Sequence, residues 1–407
     1  MKTLLHNAVL VCPNGGERPG SLLIKGDAIA GVGTLDAPSD AVAVDCGGKL
    51  LAPAIVDLGV FAIDKPAFAA GGIVRAALMP DQSPVLDDPG IVQRAAAIGK
   101  PELWVHPLAA ATRGVGGSDL AEIAILRDAG ARAVATGRHA IADAGVMRKI
   151  LAYAADCGMA VIAHAEDTAL TAGAVATEGE TATRLGLAAA PALAEALAVV
   201  RDLMLAEETG ARLHFRQVTT AAAFDLIRAA KRRGVKVTCG ITPAHLVLSD
   251  IAMTDFRTFA HLSPPLRGES DRQAARAAIA DGTIDVLTSG HDPRGPEEKR
   301  LPFADSQPGA AGAETLLALA LGLVRDELLP LDRLFALLAR NPAQVLGIES
   351  GTLTQGAPAD LILIDRDAPW RIDADAMRAK AGNTPFDGLP VQGKVVRTFK
   401  GGVEIAF

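Results

Sequence analysis

A chain of 407 residues with 50% hydrophobic and 21% charged side chains can bury a large core, which excludes a disordered protein. Its formal charge of −7, with no basic stripe, excludes nucleic acid as a partner. No apolar run approaches the roughly 20 residues of a membrane helix, so no membrane partner is expected either.

Residues 1 to about 55 read as short strands at 3–11, 21–32 and 41–44, punctuated by Gly15-Gly16 and Gly47-Gly48. Apolar strand-like runs then recur at 54–60, 73–79, 102–107, 131–135, 160–163, 212–218, 235–241 and 284–288. Helix-like segments lie between most of them, at 118–129, 144–156, 191–209 and 220–233, and two more follow at 316–324 and 331–339. Strand-like runs return at 359–364, 391–399 and 403–407. Eight strands alternating with helices predict an α/β fold, a (β/α)8 TIM-type barrel. The all-β ends predict a small β-sandwich-like domain built from both termini. The expected division is 1–55 with 344–407 for the β domain and 56–343 for the barrel.

Cys12, Cys46, Cys157 and Cys239 form no C-x-x-C pair and read as small buried hydrophobes of a reducing compartment. The N-terminus reads as a strand and turn rather than a signal peptide, so a cytoplasmic protein is expected. Lys231-Arg232-Arg233 reads as the solvated last turn of a helix. GVGGSD (114–119) lacks the Lys-Ser/Thr of a phosphate loop and reads as a turn with Ser118 as a helix cap. No G-x-S-x-G elbow is present.

In such barrels the residues that follow each strand form the active site. The order and spacing of LAPAIVDL (51–58), LMPDQSPVLDDP (78–89), VIAHAED (161–167), ITPAHLVLSD (241–250), SPPLR (263–267), DGTIDVLTSGHDP (281–293) and PEEKRLPFADSQPGAAGAET (296–315) are similar to those of dihydroorotases, in the amidohydrolase superfamily. The tail PFDGLPVQGKVVRTFKGG (385–402) matches as well, so the resemblance covers nearly the whole chain. It implies a family that opens and closes the ring between dihydroorotate and carbamoyl aspartate in pyrimidine synthesis. Its metal centre takes two histidines after strand one, a carboxylate after strand four, single histidines after strands five and six, and an aspartate after strand eight. Such metals polarise the amide carbonyl and make hydroxide from water.

Carried over residue by residue, the resemblance places the strand-one ligands at Gly59 and Phe61, neither of which binds metal through its side chain. The strand-four region is Ala135-Thr136-Gly137-Arg138-His139, with no acid before Asp143. The strand-six and strand-eight positions are Gln217 and Gly290. His164 is the sole retained ligand position, and a catalytic zinc usually needs about three. The arginine that grips the substrate carboxylate is replaced by Ile63, and the asparagine of the strand-two motif by Asp81, which would repel an anion. Arg294 stands where the family often has a histidine; it either binds an acid or pairs with Glu297 or Glu298.

The polar residues left at the strand ends have a bland reading, as hydrogen-bonded side chains of a vestigial pocket formed by Ile63, Asp81, His164, His291 and Arg294. A relocated metal site would need His106, His139, His164, His291, Asp64, Asp81 and Asp292 to meet at ~2.0 to 2.2 Å, which nothing in their spacing enforces. His214, three residues before Gln217, is expected to face the helices, and His245 reads as structural. The phenyl ring of Phe61 suits a filled mouth.

The resemblance therefore implies a non-catalytic pseudo-dihydroorotase with no catalytic residues, metal or cofactor. By the same resemblance it would act as a structural partner of aspartate carbamoyltransferase, within a homo- or hetero-oligomer. The alternative is an active amidohydrolase on dihydroorotate or another cyclic amide, with zinc at an unconventional site. A sensor that binds a small molecule in the old pocket is a third reading.

Overall fold

A computed structural model describes residues 2–407. The eight barrel strands are Ile55–Val60, Ile73–Leu78, Trp104–Ala110, Ala133–Ala135, Ala160–Ala163, Arg212–Phe215, Val237–Ile241 and Val286–Leu287. They form one parallel sheet in sequence order. Side chains join the first strand to the eighth. Asp57, fully buried, accepts from the Thr288 hydroxyl, the Ser289 N–H and the Ser289 hydroxyl. The Phe61 N–H donates to the His291 carbonyl at 2.9 Å. Burial pushes the Asp57 carboxyl up, against the pull of those hydrogen bonds.

Alternation sorts the strand side chains. Val56, Leu58, Ala77, Met79, Leu108, Ala133, Ala135, Ala160 and Ile162 pack together inside the barrel. Residues of the opposite parity on the strands, such as Val74, Ala76, Leu213 and Phe215, pack outward against the helices. The helices show the matching period. In Ala221–Arg232 the buried residues are Ala223, Phe224, Ile227 and Ala230, one face of a 3.6-residue repeat, with Lys231 and Arg232 in the last turn. Burying Phe224 and Ile227 contributes about 1.5–3 kcal/mol each. Lys231 is not merely solvated: it donates to the Thr283 carbonyl and to Asp285. Helix Ala144–Asp156 starts at Asp143, whose carboxylate accepts the Val146 N–H.

Strands from the two termini form a second sheet. Lys2–Cys12 pairs with Gly16–Lys25 on one edge; on the other it meets Ala41–Asp45 and then Leu50–Pro53. Gly16–Lys25 also pairs with Ala28–Gly33. Leu361–Arg371, Pro390–Lys400 and Val403–Ile405 extend the sheet from Leu50–Pro53. The expected run 21–32 is thus two strands, broken at Gly26, which turns with φ 64°. Leu5, Leu10, Leu22, Ile24, Leu361 and Phe399 form its core.

Three local expectations differ from the structure. The third strand does not end at Pro107 but runs through it to Ala110, because the Pro107 carbonyl still accepts the Arg132 N–H. The helix expected at 118–129 spans only Ile123–Asp128 and begins at Glu122, so Ser118 caps nothing. Leu331–Phe335 passes into a π-helical turn, Ala336–Arg340. All four cysteines are free. Among the described residues no helix is long and apolar enough to cross a membrane.

Candidate functional site

The residues after the strands meet at the barrel mouth. At the end of the first strand Gly59 takes φ 98° in a register shift between Leu58 and Val60. A Cβ there would lie 3.3 Å from the Arg216 Cδ. The Phe61 ring lies 3.9 Å from the Arg138 guanidinium carbon and 5.1 Å from that of Arg216. Cation–π attraction thus holds two arginines against one ring.

Arg216 is the residue that the sequence reading missed. It follows the sixth strand with its side chain inside the barrel, 3% exposed. Nη1 donates to Gln217 Oε1 at 2.9 Å and Nη2 to His164 Nδ1 at 3.1 Å, while Nε has no partner. Burial lowers its pKa to about 10, with Arg138 adding to the effect. Inward parity was the available signal: the strand alternation that puts His214 inside puts Arg216 inside as well. His214 is accordingly a correction. Its Nδ1 pairs with the Thr238 hydroxyl at 2.9 Å inside the barrel, rather than facing the helices. The alternation counted back from Gln217 fails because the strand stops at Phe215.

A guanidinium only donates, so His164 Nδ1 must accept and Nε2 must carry the proton. Nε2 then donates to Glu166 Oε2 at 3.2 Å. Burial lowers the His164 pKa, in keeping with a neutral ring. Burial alone would raise Glu166, but His164 and Arg267 outweigh it and hold the carboxyl at about 2. Arg267 reaches Glu166 Oε1 at 2.8 Å and Glu195 Oε2 at 3.4 Å. Glu195 also accepts the N–H and hydroxyl groups of Thr219 and Thr220. Gln217 continues to the Thr242 hydroxyl at 3.3 Å, which contacts His245 Nδ1 at 2.9 Å. His245 Nε2 then donates to the Pro264 carbonyl.

The remaining positions divide. Arg138 holds Asp292 through both terminal nitrogens, at 2.5 and 3.0 Å. Arg294 contacts Asp292 at 3.0 Å and Glu298 at 2.9 Å, so its guanidinium has carboxylate partners within the chain. Asp81 accepts the Arg138 N–H and packs under Gly137, where a Cβ would lie 2.7 Å from its Oδ1. Gly290 has φ 58°, and a Cβ there would meet Thr242 at 2.8 Å. Ile63 packs toward the helices. His291 turns behind the mouth: its Nδ1 accepts the Ala313 N–H, its Nε2 lies 4.0 Å from Asp64, and its ring meets Phe68 edge-on. His106 sits in mid-strand, opposite Ala77, because the third strand runs on past Pro107. His139 is exposed at the rim.

The residues that a relocated metal site would need are not brought together. Among the described residues no three His, Cys, Asp or Glu side chains converge to hold a metal. The one histidine at a family ligand position has both ring nitrogens engaged, one of them by a cation. The mouth does not fit a metal centre. It does keep a cavity of ≈ 200 Å³, walled by Phe61, Arg138, Arg216, Gln217, Thr242 and Asp292 among others.

The barrel, the strand-end site and the accessory sheet define an amidohydrolase-type architecture, and sequence comparison agrees. The profile of the amidohydrolase family matches residues 117–405. The dihydroorotase of Pelotomaculum thermopropionicum is 39% identical over 423 residues, spanning 99% of this chain and 98% of that protein. The dihydroorotase-like protein of Pseudomonas aeruginosa is 38% identical over 404 residues, 95% of each. The L-hydantoinase (dihydropyrimidinase) from Arthrobacter aurescens superposes with a TM-score of 0.89 at 25% identity, over 99% of this chain and 96% of that one. The chain belongs to the amidohydrolase family and is homologous to dihydroorotases.

Proposed function

We propose that this chain is a dihydroorotase-like protein of pyrimidine biosynthesis that has lost catalysis and serves as a structural partner of aspartate carbamoyltransferase. The observation that carries the first half is the contact of Arg216 with His164 beside Gly59. A guanidinium stands against the one histidine left at a ligand position, where a hydrolase of this kind needs metal and water. An active site on zinc would have to be assembled from side chains that the fold keeps apart.

The second half rests on the resemblance to the family. A surface of the right kind supports it. Leu193, Leu197 and Met204 lie on one face of helix Leu193–Thr209 and are 58%, 43% and 65% exposed. Contiguous exposed apolar side chains of this sort mark contact faces. The test is co-purification. A tagged copy should draw down aspartate carbamoyltransferase from its own cells in a fixed ratio, and charged substitutions at Leu197 and Met204 should weaken the complex. Recovery of the tagged chain alone would remove the assembly role.

A further inference from the structure

The N-terminal ends of the barrel strands, opposite the mouth, hold a cleft of ≈ 340 Å³. Arg212 opens the sixth strand, and Lys236 directly precedes the seventh. Leu213 is in register with Val237, so Arg212 and Lys236 lie side by side, on the same face as His214 and Thr238. Neighbouring strands are only about 4.8 Å apart, so the two like charges crowd each other. Neither has a carboxylate partner among the described residues. Arg212 donates to the Val345 carbonyl at 3.0 Å and Lys236 to the Gly210 carbonyl at 3.3 Å. The one carboxylate on the wall, Asp285, is taken by Lys231 and by the Cys239 N–H. Burial lowers the His214 pKa to about 3, so its ring is neutral. With Lys231 set against Asp285, the cleft keeps two positive charges, those of Arg212 and Lys236. Its far wall is helix Asn341–Leu346, which follows the π-helical turn Ala336–Arg340. Such turns recur at functional sites. Here the turn delivers Asn341, whose Nδ2 donates to the Asp285 carbonyl at 2.8 Å.

We propose that this cleft binds a small phosphate monoester, with the phosphate set between Arg212 and Lys236. A monoester carries close to two negative charges at neutral pH and offers three strong acceptor oxygens. That matches a guanidinium fork beside an ammonium group. Only neutral carbonyls hold the two cations now, so a dianion draws them in without breaking an ion pair. The cleft is larger than a phosphate group. Ala160 and Val345 offer apolar wall for the organic body, with the Thr238 hydroxyl and the Gln344 amide beside them. The site lies at the other end of the barrel from Arg216 and does not depend on whether the mouth is catalytic.

The experiment is calorimetric titration of the full chain with phenyl phosphate, inorganic phosphate, benzoate and phenol. Phenyl phosphate should bind saturably at one site. Inorganic phosphate lacks the body and benzoate lacks the second charge, so each should bind at least about tenfold more weakly, and phenol should not bind. Arg212→Met/Lys236→Met should weaken phenyl phosphate at least about tenfold, and Lys236→Glu should weaken it as well. Both side chains are exposed at the rim, so these changes spare the core. The comparison of the four compounds uses the native chain and stands even where a variant fails to fold. Absence of phenyl phosphate binding to the native chain would overturn the site. So would equal binding of any of the other three compounds. Unchanged binding by a folded Arg212→Met/Lys236→Met chain would place the anion elsewhere and overturn it too.

Discussion

Arg216 Nη2 donates to His164 Nδ1 across 3.1 Å, and this contact occupies the lone pair that a metal would need from that ring. The other ring nitrogen donates to Glu166. The retained histidine is thus a link between a buried cation and a buried carboxylate, in a network that runs through Arg267 to Glu195. The losses at Gly59, Phe61, Gln217 and Gly290 are connected to it. Gly59 leaves room for the Arg216 stem, Phe61 stacks on its guanidinium and Gln217 accepts from it.

Restoring the first two family ligands should therefore not restore the metal. In Gly59→His/Phe61→His, Arg216 still fills the centre, and residue 59 is asked to hold a left-handed φ that a histidine rarely adopts. Metal analysis after zinc loading and desalting should find this variant as poor in zinc as the parent. One firmly bound zinc per chain would show that Arg216 yields readily.

Gly59→Ala isolates the backbone part of that argument. A Cβ at φ 98° and 3.3 Å from Arg216 should cost about 1–3 kcal/mol. Urea unfolding would reveal it as a lower midpoint with an unchanged slope. Stability equal to the parent would mean that the strand end relaxes.

Glu195 is fully buried and accepts from two N–H groups, two hydroxyls and Arg267. Glu195→Gln keeps the shape but turns an NH2 group toward donors and leaves Arg267 with less negative charge. A loss of about 2–4 kcal/mol is expected by chemical unfolding. A loss under about 0.5 kcal/mol, the scale of an ordinary surface change, would contradict the network.

The buried histidines set an acid limit. Burial lowers His106 and His214 to about 3 and His291 to about 4. In the unfolded chain they take up protons near 6.5. Below that pH the unfolded state binds more protons, so stability falls as pH falls, from about 6.5 toward 3. Each should remove roughly 1 kcal/mol between pH 7 and 5.5. Glu166, held at about 2, acts in the same sense below about 4.5, its stabilising contribution fading as pH approaches 2. Unfolding free energies at several pH values check the slope; flat stability from pH 7 to 5 would contradict it.

The barrel was legible because its strands are apolar runs set between amphipathic helices, a pattern that needs no tertiary information. Its finer points were not. Pro107 reads as a terminus, yet a proline is tolerated where only its carbonyl is bonded, and this moved His106 away from the rim. The absent ligands could be read residue by residue against the family pattern. What fills their place could not be read that way, because Arg216 sits between His214 and Gln217 at no position with a family role. Only strand parity shows that it points inward. The pairing of Arg294 with Asp292 and Glu298 likewise depends on how the loop after strand eight folds back on itself.

The most direct test is metal content and turnover together. The full chain, purified and incubated with excess zinc, then desalted, should carry far less than one zinc per chain. It should hydrolyse dihydroorotate no faster than buffer does. Stoichiometric zinc with dihydroorotate turnover that vanishes in His164→Ala would contradict the account.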